Sequence, residues 1–326
     1  MSNKAQNFDS ILKSKVSDHL KERLSKITDG IIGGCRQVNN LEGQGQATIY
    51  NLVSPIPAYE KVGNTAPRYN SNLLQRIITP RSFASPVLID EEDKKQLMQD
   101  PFTSLAEPLV MGLREAMQKH LVIQAFGTNI LGPVGNSIEQ DFSNDMIIKV
   151  DERLNKGAAR GHWLDKILLA SKKLQSNGVP HHVKRYLAVS PATYERMFTE
   201  LKMTSKDYID RVKLEQGEIT HFAGFQIIVT NYLPGGTRQP TIYDADGKPT
   251  NTPVIMLRSY IDTSSEVKSH ALFWAEGGLS SALWADGVNV KIGQISPVEG
   301  EFIYAECRYG ATRNEESYVG YIEMEA

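Results

Sequence analysis

The sequence predicts a mixed α+β fold with more than one lobe. Amphipathic helix patterns and strand-like runs both occur, but they do not alternate regularly along the chain, as they would in a doubly wound parallel sheet. The strongest helix pattern falls in residues 104–126, whereas most strand-like runs follow residue 220. With 326 residues, the chain exceeds the roughly 250 to 300 residues at which one hydrophobic core stops growing, so two lobes are expected.

The composition is that of a folded protein without a general affinity for nucleic acid. Hydrophobic residues make up 40% of the chain and charged residues 23%, and the formal net charge is -2. This apolar content is sufficient for a core and excludes intrinsic disorder for most of the chain. The balanced charge gives no broad attraction to phosphate backbones or anionic membranes. Neither a membrane-spanning stretch nor a signal peptide is expected, because the long apolar runs that they require do not occur.

The first 80 residues combine a helix pattern with a long irregular stretch. Residues 8–28 carry an apolar stripe at four-residue spacing among charged residues, which predicts an amphipathic helix. This helix either packs on its own lobe or reaches a neighbouring subunit, and the local sequence favours neither. Residues 30–80 are interrupted by glycine, proline and asparagine, yet they hold too many apolar side chains for a solvated linker. We therefore expect a mostly extended projection that packs on another surface.

The next element is the long helix over residues 104–126. Ser104 and Glu107 have the spacing of a capping box, and apolar residues recur at every fourth position from Leu105 to Leu121. The pattern ends near Gly127, a residue type favoured after the last helical turn. Pro108 removes one backbone hydrogen bond, so we expect either a late start of the regular helix or a bent first turn.

The remaining elements follow from local start and stop signals. Residues 158–176 predict a helix that ends before an Asn-Gly pair, RYLAVSP predicts a strand, and its Ser-Pro pair predicts the start of another helix. FAGFQIIVTNYLP predicts one strand, and residues 235–253 predict a surface loop. Four later runs predict strands, namely VIMLRSYI, HALFWAEG, VNVKIG and FIYAECRYG.

No motif for catalysis, metal binding or cofactor binding stands out. Cys35 and Cys307 lack further cysteines or histidines at ligand spacing, so we expect buried free thiols, with a single disulfide between them as the alternative. His181 and His182 are adjacent, and adjacent side chains point apart and seldom bind one metal ion together, so we expect a turn there and no metal site. The sequence contains no phosphate-binding glycine loop, and the acidic run 90–93 fits a solvated helix entry. We expect no metal site, no cofactor and no enzymatic activity.

The end of the chain is rich in acidic residues. Seven glutamates accompany only Arg308 and Arg313 between residues 299 and 325. This bias predicts either a plain solvated face or an acidic surface that repels DNA phosphates or meets a basic partner.

Three stretches resemble one family of proteins. TPRSFASPVLIDEEDKKQLMQDPFTSLAEPLVMGLREAMQKHLVIQAFGT resembles a passage that returns from an extended loop and enters a long spine helix. RYLAVSPATYERMFTE is similar to a strand followed by a Ser-Pro helix, and EQGEITHFAGFQIIVTNYLP is similar to a strand that runs to an Asn-x-Leu-Pro end. In this order, the stretches resemble the major capsid proteins of tailed double-stranded DNA bacteriophages, which have the Hong Kong phage capsid fold.

The resemblance implies a domain organisation for the whole chain. It assigns residues 1–45 to an N-terminal arm and residues 46–86 to an extended loop. A peripheral domain would comprise residues 87–140 and 268–310, with the spine helix at about 104–126. An axial domain would comprise residues 141–267 and 311–326.

The resemblance also implies a function and a set of partners. The chain would be a coat protein that self-assembles through hexamers and pentamers into an icosahedral shell around packaged double-stranded DNA. It would be part of the virion and assemble in the host bacterial cytoplasm, without crossing a membrane. A separate scaffolding protein, a portal protein and decoration proteins would be its partners, and no motif for isopeptide cross-linking is found.

Two sets of residues are candidates for assembly roles. Aromatic side chains dominate interface energetics, so the candidates for intersubunit contacts are Tyr50, Tyr59, Tyr69 and Phe83, although each could equally pack within its own subunit. Glycines permit backbone adjustment between slightly different environments, so the candidate hinges are Gly30, Gly33, Gly34 and Gly63. Two other functions are alternatives: a bacterial nanocompartment shell of the same fold, and a two-lobed enzyme that uses paired carboxylates.

Overall fold

The computed structural model describes residues 30–41, 45–50, 75–90, 101–132, 137–154, 162–199, 220–233, 242–243, 249–250, 268–284, 289–295 and 300–325. Three α-helices lie in these ranges: α1 is Pro101–Phe126, α2 is Trp163–Ser176 and α3 is Pro191–Thr199. Short 3₁₀ turns span Gly30–Gly34, Asn144–Met146 and Glu316–Tyr318. The helix predicted for residues 8–28 and the strand predicted for residues 254–261 lie outside the described ranges.

The strands of the described ranges form three larger sheets and one short ribbon. In chain order, the strands are β1 Arg36–Leu41, β2 Ala47–Tyr50, β3 Gln75–Ile78, β4 Arg81–Asp90, β5 Asn129–Leu131, β6 Ile138–Gln140, β7 Ile147–Ile148, β8 Arg185–Val189, β9 His221–Phe222, β10 Phe225–Val229, β11 Ile242–Tyr243, β12 Pro249–Thr250, β13 Lys268–Ala275, β14 Leu279–Trp284, β15 Asn289–Ile295, β16 Gly300–Arg313 and β17 Val319–Glu325.

The first sheet is organised around β16, a strand of 14 residues. Its residues 309–313 pair antiparallel with β14, and its residues 300–306 pair antiparallel with β15. β4 pairs antiparallel with residues 300–309, along the opposite edge of β16. β1 lies parallel to β14 and extends the sheet.

The second sheet has six strands in the order β7-β17-β13-β8-β10-β9. β13 is antiparallel to both β17 and β8, whereas β8 and β10 are parallel. Helices α2 and α3 contribute Trp163, Ile167, Leu174 and Met197 to the hydrophobic core of this sheet. β16 and β17 follow one another closely in the chain, so the link between them joins the first sheet to the second.

The third sheet, in the order β2-β3-β5-β6, is antiparallel throughout. β2 and β3 pair from Ala47 opposite Ile78 to Tyr50 opposite Gln75, so residues 51–74 connect the two strands at one end. A small core ties this sheet to the first one, because Ile49 and Ile78 are buried in the same cluster as Trp284 of β14.

The structure confirms the helix stripe of α1 and corrects its start. Leu109, Leu113, Met117 and Leu121 are all buried, and the Gly127 N–H donates to the Ile123 carbonyl, 2.8 Å away, at the predicted end. The helix does not start late, because it begins at Pro101 and contains Pro108. Pro108 is the eighth residue of this helix, so it lies beyond the first turn and removes the hydrogen bond that its N–H would have made to the Ser104 carbonyl.

The predicted elements around α2, β8 and α3 are confirmed. The stripe of α2 is buried at Trp163, Ile167, Ala170 and Leu174. The Ser190 hydroxyl accepts a hydrogen bond from the backbone N–H of Thr193, 3.2 Å away, as an N-cap should. His181 and His182 lie in an exposed turn, as expected.

Two of the sequence-based predictions are wrong. FAGFQIIVTNYLP is not one strand, because Ala223 and Gly224 have φ values of 50° and 84° and form a tight turn between β9 and β10. The predicted loop over residues 235–253 contains β11 and β12, which pair with each other. Strands β1, β14 and β17 were not predicted, although each pairs within one of the two main sheets.

Candidate assembly site

The long helix α1 shares a core with the inner face of the first sheet. Ala305, Cys307 and Tyr309 of β16 are almost completely buried in the same cluster as the stripe of α1. Cys35 lies in this cluster too, and both cysteines are free and buried, as predicted. Burial raises the pKa of the Cys307 thiol to about 12 and raises that of Cys35 well above its usual range. Both thiols are therefore protonated and unreactive near neutral pH.

One titratable side chain lies between α1 and this sheet. His120 of α1 is 3% exposed, and its ring lies 5.5 Å from that of Phe83 in β4 and 6.2 Å from that of Tyr309 in β16. Burial, with a smaller contribution from the positive charge of Arg81, lowers the pKa of His120 to about 4. The contact between the helix and the sheet thus depends on a neutral imidazole.

The opposite face of the same sheet is partly apolar and accessible. Leu88, Phe302 and Gly293 form one row across β4, β16 and β15, and Pro86 and Tyr304 belong to the next row. Leu88 is 72% exposed. A Cβ atom at Gly293 would lie 2.7 Å from a ring carbon of Phe302, so this ring lies directly over the glycine. The three strands therefore present aromatic and aliphatic side chains on this face.

The third sheet is held to the body by close packing at Ile78. A Cβ atom added to Gly310 of β16 would lie 2.4 Å from the Cγ2 atom of Ile78 and 3.1 Å from the Thr79 carbonyl oxygen. Only a glycine permits this approach, which brings the end of β3 onto β16. Because β3 is one strand of the pair that leads to residues 51–74, this contact fixes one point at the base of that segment.

A buried ionic cluster provides a second point of attachment two residues away. Arg76 of β3 is 2% exposed; its Nε donates to the Asn314 carbonyl, 3.0 Å away, and its Nη2 donates to Glu316, 3.4 Å away. The same carboxylate accepts hydrogen bonds from Nε of Arg313 at 3.0 Å. Arg76, Arg313 and Glu316 are called the junction cluster below.

Arg313 also caps the C-terminal end of α1. Its Nη1 donates to the Ala125 carbonyl at 3.0 Å and to the carbonyls of Gln124 and Gly127, which have no partner within the helix. Its guanidinium lies 4.9 Å from the ring centre of Phe142. Burial lowers the pKa of Arg313, opposed by the charge of Glu316, but an arginine remains cationic at any neutral pH. A fixed positive charge at this end also complements the helix dipole.

The junction cluster corrects the expectation for the acidic end of the chain. Arg313 is fully buried and the Glu316 side chain is only 12% exposed, so this part of the run is an internal ion pair and not a solvated face. Arg76 is not among the residues that the sequence singled out either. The i,i+3 spacing of Arg313 and Glu316 could have indicated their ion pair from the sequence. No local pattern indicated Arg76, which is 240 residues from Glu316.

The predicted contact residues are not brought together by the described ranges. Phe83 is half-buried and packs against His120 within its own subunit. Tyr50 ends β2, and its side chain lies outside the description. Tyr59 and Tyr69 lie outside the described ranges. Their contacts with other subunits stay predictions.

The glycines proposed as hinges occupy different environments. Gly30, with a φ of 64°, begins the first 3₁₀ turn next to Gln118 of α1, and Gly33 is exposed in the same turn. Gly34 is buried, and a Cβ there would lie 2.8 Å from the Trp274 ring, whose Nε1 donates to the Gly34 carbonyl. Gly63 lies outside the described ranges. Their function as hinges stays a prediction.

The described residues contain neither a metal site nor a membrane-spanning helix. No group of three or more histidine, cysteine, aspartate or glutamate side chains in the described ranges is arranged to hold a metal ion. Within the same ranges, no helix has both the length and the apolar character to cross a membrane.

Comparison with known proteins connects this architecture to viral shells. A family model described as phage capsid protein matches residues 37–325. The capsid of cyanophage P-SCSP1u is similar at 17% identity and a TM-score of 0.59, covering 91% of this chain and 88% of that one. The capsid of Ralstonia phage GP4 is similar at 9% identity and a TM-score of 0.59, covering 90% and 87%. No match was found among curated proteins.

A third structure gives the same result. The acidic stable capsid of Helicobacter pylori bacteriophage KHP30 is similar at 12% identity and a TM-score of 0.57, covering 90% of this chain and 88% of that one. The two alternatives from the sequence, a nanocompartment shell and a two-lobed enzyme, are not favoured by these matches. Because the family model covers most of the chain and the capsid structures share its fold, the chain belongs to the phage capsid protein family, as a structural protein of the shell with the fold of tailed-phage major capsid proteins.

Proposed function

We propose that this protein assembles through hexamers and pentamers into an icosahedral shell that encloses packaged double-stranded DNA. The observation that carries the proposal is the phage capsid family match over residues 37–325. The shell protein contributes geometry and contacts to this function and needs no catalytic group. We therefore assign it no enzymatic activity.

The described surface supports contacts between copies. The face that carries Leu88, Pro86 and Tyr304 is accessible on each copy, and burial of such side chains stabilises an interface by about 25 cal/mol for each Å² of apolar surface. The segment of residues 51–74 connects β2 to β3 in the chain. Its tyrosines, Tyr59 and Tyr69, together with Tyr50 and Phe83, are the proposed contact residues.

The proposed domains follow the order of the capsid fold. Residues 1–45 form the arm, residues 46–86 the extended loop, residues 87–140 with 268–310 the peripheral domain, and residues 141–267 with 311–326 the axial domain. β4 spans the boundary between the proposed extended loop and the proposed peripheral domain. Its residues 81–86 are assigned to the loop, yet they pair with β16 of the first sheet. The loop that projects is therefore best limited to the segment before β4.

The proposed partners are those that a DNA-filled shell requires. A separate scaffolding protein would direct assembly in the host cytoplasm, a portal protein would occupy one vertex, and decoration proteins would bind the outside. The net charge of -2 suits a wall that encloses DNA without binding it tightly.

The proposal is tested by expressing the full chain alone and with the scaffolding protein from the same phage. Analytical sedimentation and negative-stain microscopy should reveal hexamers, pentamers or hollow shells in at least one condition. A compact monomer that persists at high concentration in both conditions would refute the proposal. Leu88→Ser serves as an interface variant, and Lys172→Ser, an exposed position on α2, is its control.

A further inference from the structure

We infer that the 3₁₀ turn Gly30–Gly34 is a wedge between α1 and the second sheet, and that its withdrawal allows the helix and the sheet to change their relative orientation. This turn is called the wedge below. Its residues are positioning residues, because they act through the two elements that they separate. The inference concerns a movement within one subunit, so it goes beyond the proposed function and does not depend on a shell.

The wedge contacts α1 at its first residue and the second sheet at its last. A Cβ atom added to Gly30 would lie 2.8 Å from Nε2 of Gln118 in α1. A Cβ atom added to Gly34 would lie 2.8 Å from the Trp274 ring of β13 and 3.1 Å from the Tyr186 ring of β8. Nε1 of Trp274 also donates to the Gly34 carbonyl, 2.8 Å away. The wedge therefore reaches from the helix to the sheet.

The interior of the wedge is apolar. Ile31 and Ile32 are 0% and 1% exposed and belong to one hydrophobic cluster. That cluster contains Met117 and Leu121 of α1 together with Leu272 of β13. Since the wedge touches both elements, loss of its side chains would leave an apolar gap that the helix and the sheet can reduce by approaching each other.

The helix meets the second sheet directly at another point, near its C-terminal end. The ring of Phe126 lies 5.3 Å from that of Tyr321 and 6.3 Å from that of His270. Along α1, Phe126 is about 12 Å from Gln118, at about 1.5 Å per residue. Along β13, His270 is about 13 Å from Trp274, at about 3.3 Å per residue. The two spacings agree, as expected if α1 and β13 run side by side between one direct contact and one contact through the wedge.

The direct contact and the wedge together define an angle between α1 and the second sheet. Without the wedge, the contact at Phe126 would become a pivot. A change of about 2 Å in the gap at the wedge, about 12 Å from the pivot, corresponds to a rotation of about 10°. At Met111, about 22 Å from Phe126 along the helix, this rotation amounts to a displacement of about 4 Å.

The wedge continues into a short and irregular strand. β1 follows it and pairs in parallel with β14, but the register shifts between Val38 and Leu41. Between the wedge and β1, the Cys35 Sγ donates to the Ile31 carbonyl at 3.3 Å, and the Cys35 backbone N–H donates to the Ile32 carbonyl at 3.1 Å. The Cys35 thiol therefore moves with the wedge. Segments held by few contacts open at a lower free energy than the whole domain, so we expect withdrawal without global unfolding.

The thiol of Cys35 reports the withdrawal directly. Burial keeps this thiol protonated and unreactive while the wedge is in place, and exposure restores its reactivity. In a Cys307→Ala chain, the rate of maleimide labelling gives the equilibrium constant for opening, and urea unfolding gives the constant for global unfolding. The opening constant should exceed the unfolding constant by about 100-fold. Equal constants would overturn the inference, because only unfolding of the whole chain would then expose the thiol.

The variant that tests the wedge is Ile32→Ala, and its matched control is Ile167→Ala. Ile167 is also fully buried, at 0% exposed, but it belongs to the separate core of α2 and the second sheet. Truncation of an isoleucine that is buried only in the closed form should raise the opening constant by about 30-fold or more. Ile32→Ala should show this increase for Cys35 labelling, whereas Ile167→Ala should raise only the unfolding constant. Equal opening constants in the two variants would overturn the inference.

Spin labels on the two separated parts measure their orientation. The labels replace Met111 on α1 and Glu195 on α3, which are both exposed. α3 packs in the core of the second sheet through Met197, so its label follows that sheet. The distance between the labels therefore reports the angle between α1 and the second sheet in the unassembled full chain.

The distance measurement uses a chain with Cys35→Ala and Cys307→Ala, so that only the labelled positions carry thiols. Ile32→Ala should shift or broaden the distance distribution by about 4 Å, whereas Ile167→Ala should retain the parent distribution. A parent-like distribution for Ile32→Ala would overturn the inference. If Ile32→Ala does not fold, Ile32→Val is judged by the same outcomes.

Discussion

The buried histidine between α1 and the first sheet predicts a specific loss of stability in acid. His120 is 3% exposed, and burial lowers its pKa from 6.5 to about 4 in the folded chain. Since the unfolded chain takes up this proton near pH 6.5, folding becomes progressively less favourable as the pH falls from 6.5 towards 4. Above pH 6.5, the imidazole is neutral in both states and contributes no pH dependence.

The size of the effect follows from the shift in pKa. Each pKa unit corresponds to 1.36 kcal/mol, so the shift of His120 removes about 3 kcal/mol of unfolding free energy once the pH reaches about 4. His120→Leu replaces the ring by an apolar side chain of similar volume and eliminates this titration. Carboxylates titrate in the same range, but they do so equally in parent and variant, so they cancel in the difference.

The assay is urea unfolding of the unassembled chain between about pH 7 and pH 4. The stability of His120→Leu relative to the parent should rise by about 3 kcal/mol as the pH falls across this range. His182→Gln, which changes a histidine in an exposed turn, is the control. A difference between His120→Leu and the parent that does not change with pH would refute the reasoning.

Two further comparisons test the packing and the ionic contacts. A Cβ at Gly320 would clash with a phenylalanine ring carbon, so Gly320→Ala should lower the unfolding free energy by about 1 to 3 kcal/mol. A Cβ at Gly112, inside α1, would meet open space, so Gly112→Ala should raise the unfolding free energy by about 0.5 to 1 kcal/mol. Thermal unfolding measures both, and equal effects would contradict the packing described here. Arg313→Met should cost about 3 to 5 kcal/mol in urea unfolding, because it leaves Glu316 and the end of α1 without their buried partner. Lys119→Met removes a surface ion pair with an N to O distance of 2.7 Å and should cost less than about 1 kcal/mol, so equal losses from these two variants would argue against the capping function of Arg313.

The elements that the sequence predicted are those specified by local patterns. The stripe of α1, the stripe of α2 and the cap at Ser190 each depend on residues within a few turns of one another. Such patterns do not require knowledge of the partner element. The same applies to β8, whose run of apolar residues is buried throughout.

The missed elements depend on distant partners. β14 includes Ser280 and Ser281, which are fully buried although serine side chains are usually exposed. The sequence of β14 therefore lacks the apolar pattern that predicts a core strand. Its pairing with β16 supplies the backbone partners that make this burial tolerable. Along β17, the buried Ile322 and Met324 alternate with glutamates. The excess of acidic residues in this part of the sequence predicted an exposed surface and not a strand.

The candidate assembly features were predictable only in part. The projection that the composition of residues 30–80 predicts stays a prediction, because residues 51–74 lie outside the described ranges, whereas the contacts of β3 with the body required the structure. The contact of Ile78 with Gly310 and the ion pair of Arg76 with Glu316 join residues more than 200 positions apart. No periodicity or spacing in a single sequence encodes such pairs.

The most direct test of the account is a cryo-electron microscopy reconstruction of particles assembled from this chain. The account predicts an icosahedral lattice in which every subunit has this fold and residues 51–74 contact a neighbouring copy. It also predicts that the Arg76 to Glu316 contact is retained in every subunit, since this contact ties β3 to the link between β16 and β17. A lattice in which residues 51–74 fold back on their own subunit, or a failure to form any closed particle, would contradict it.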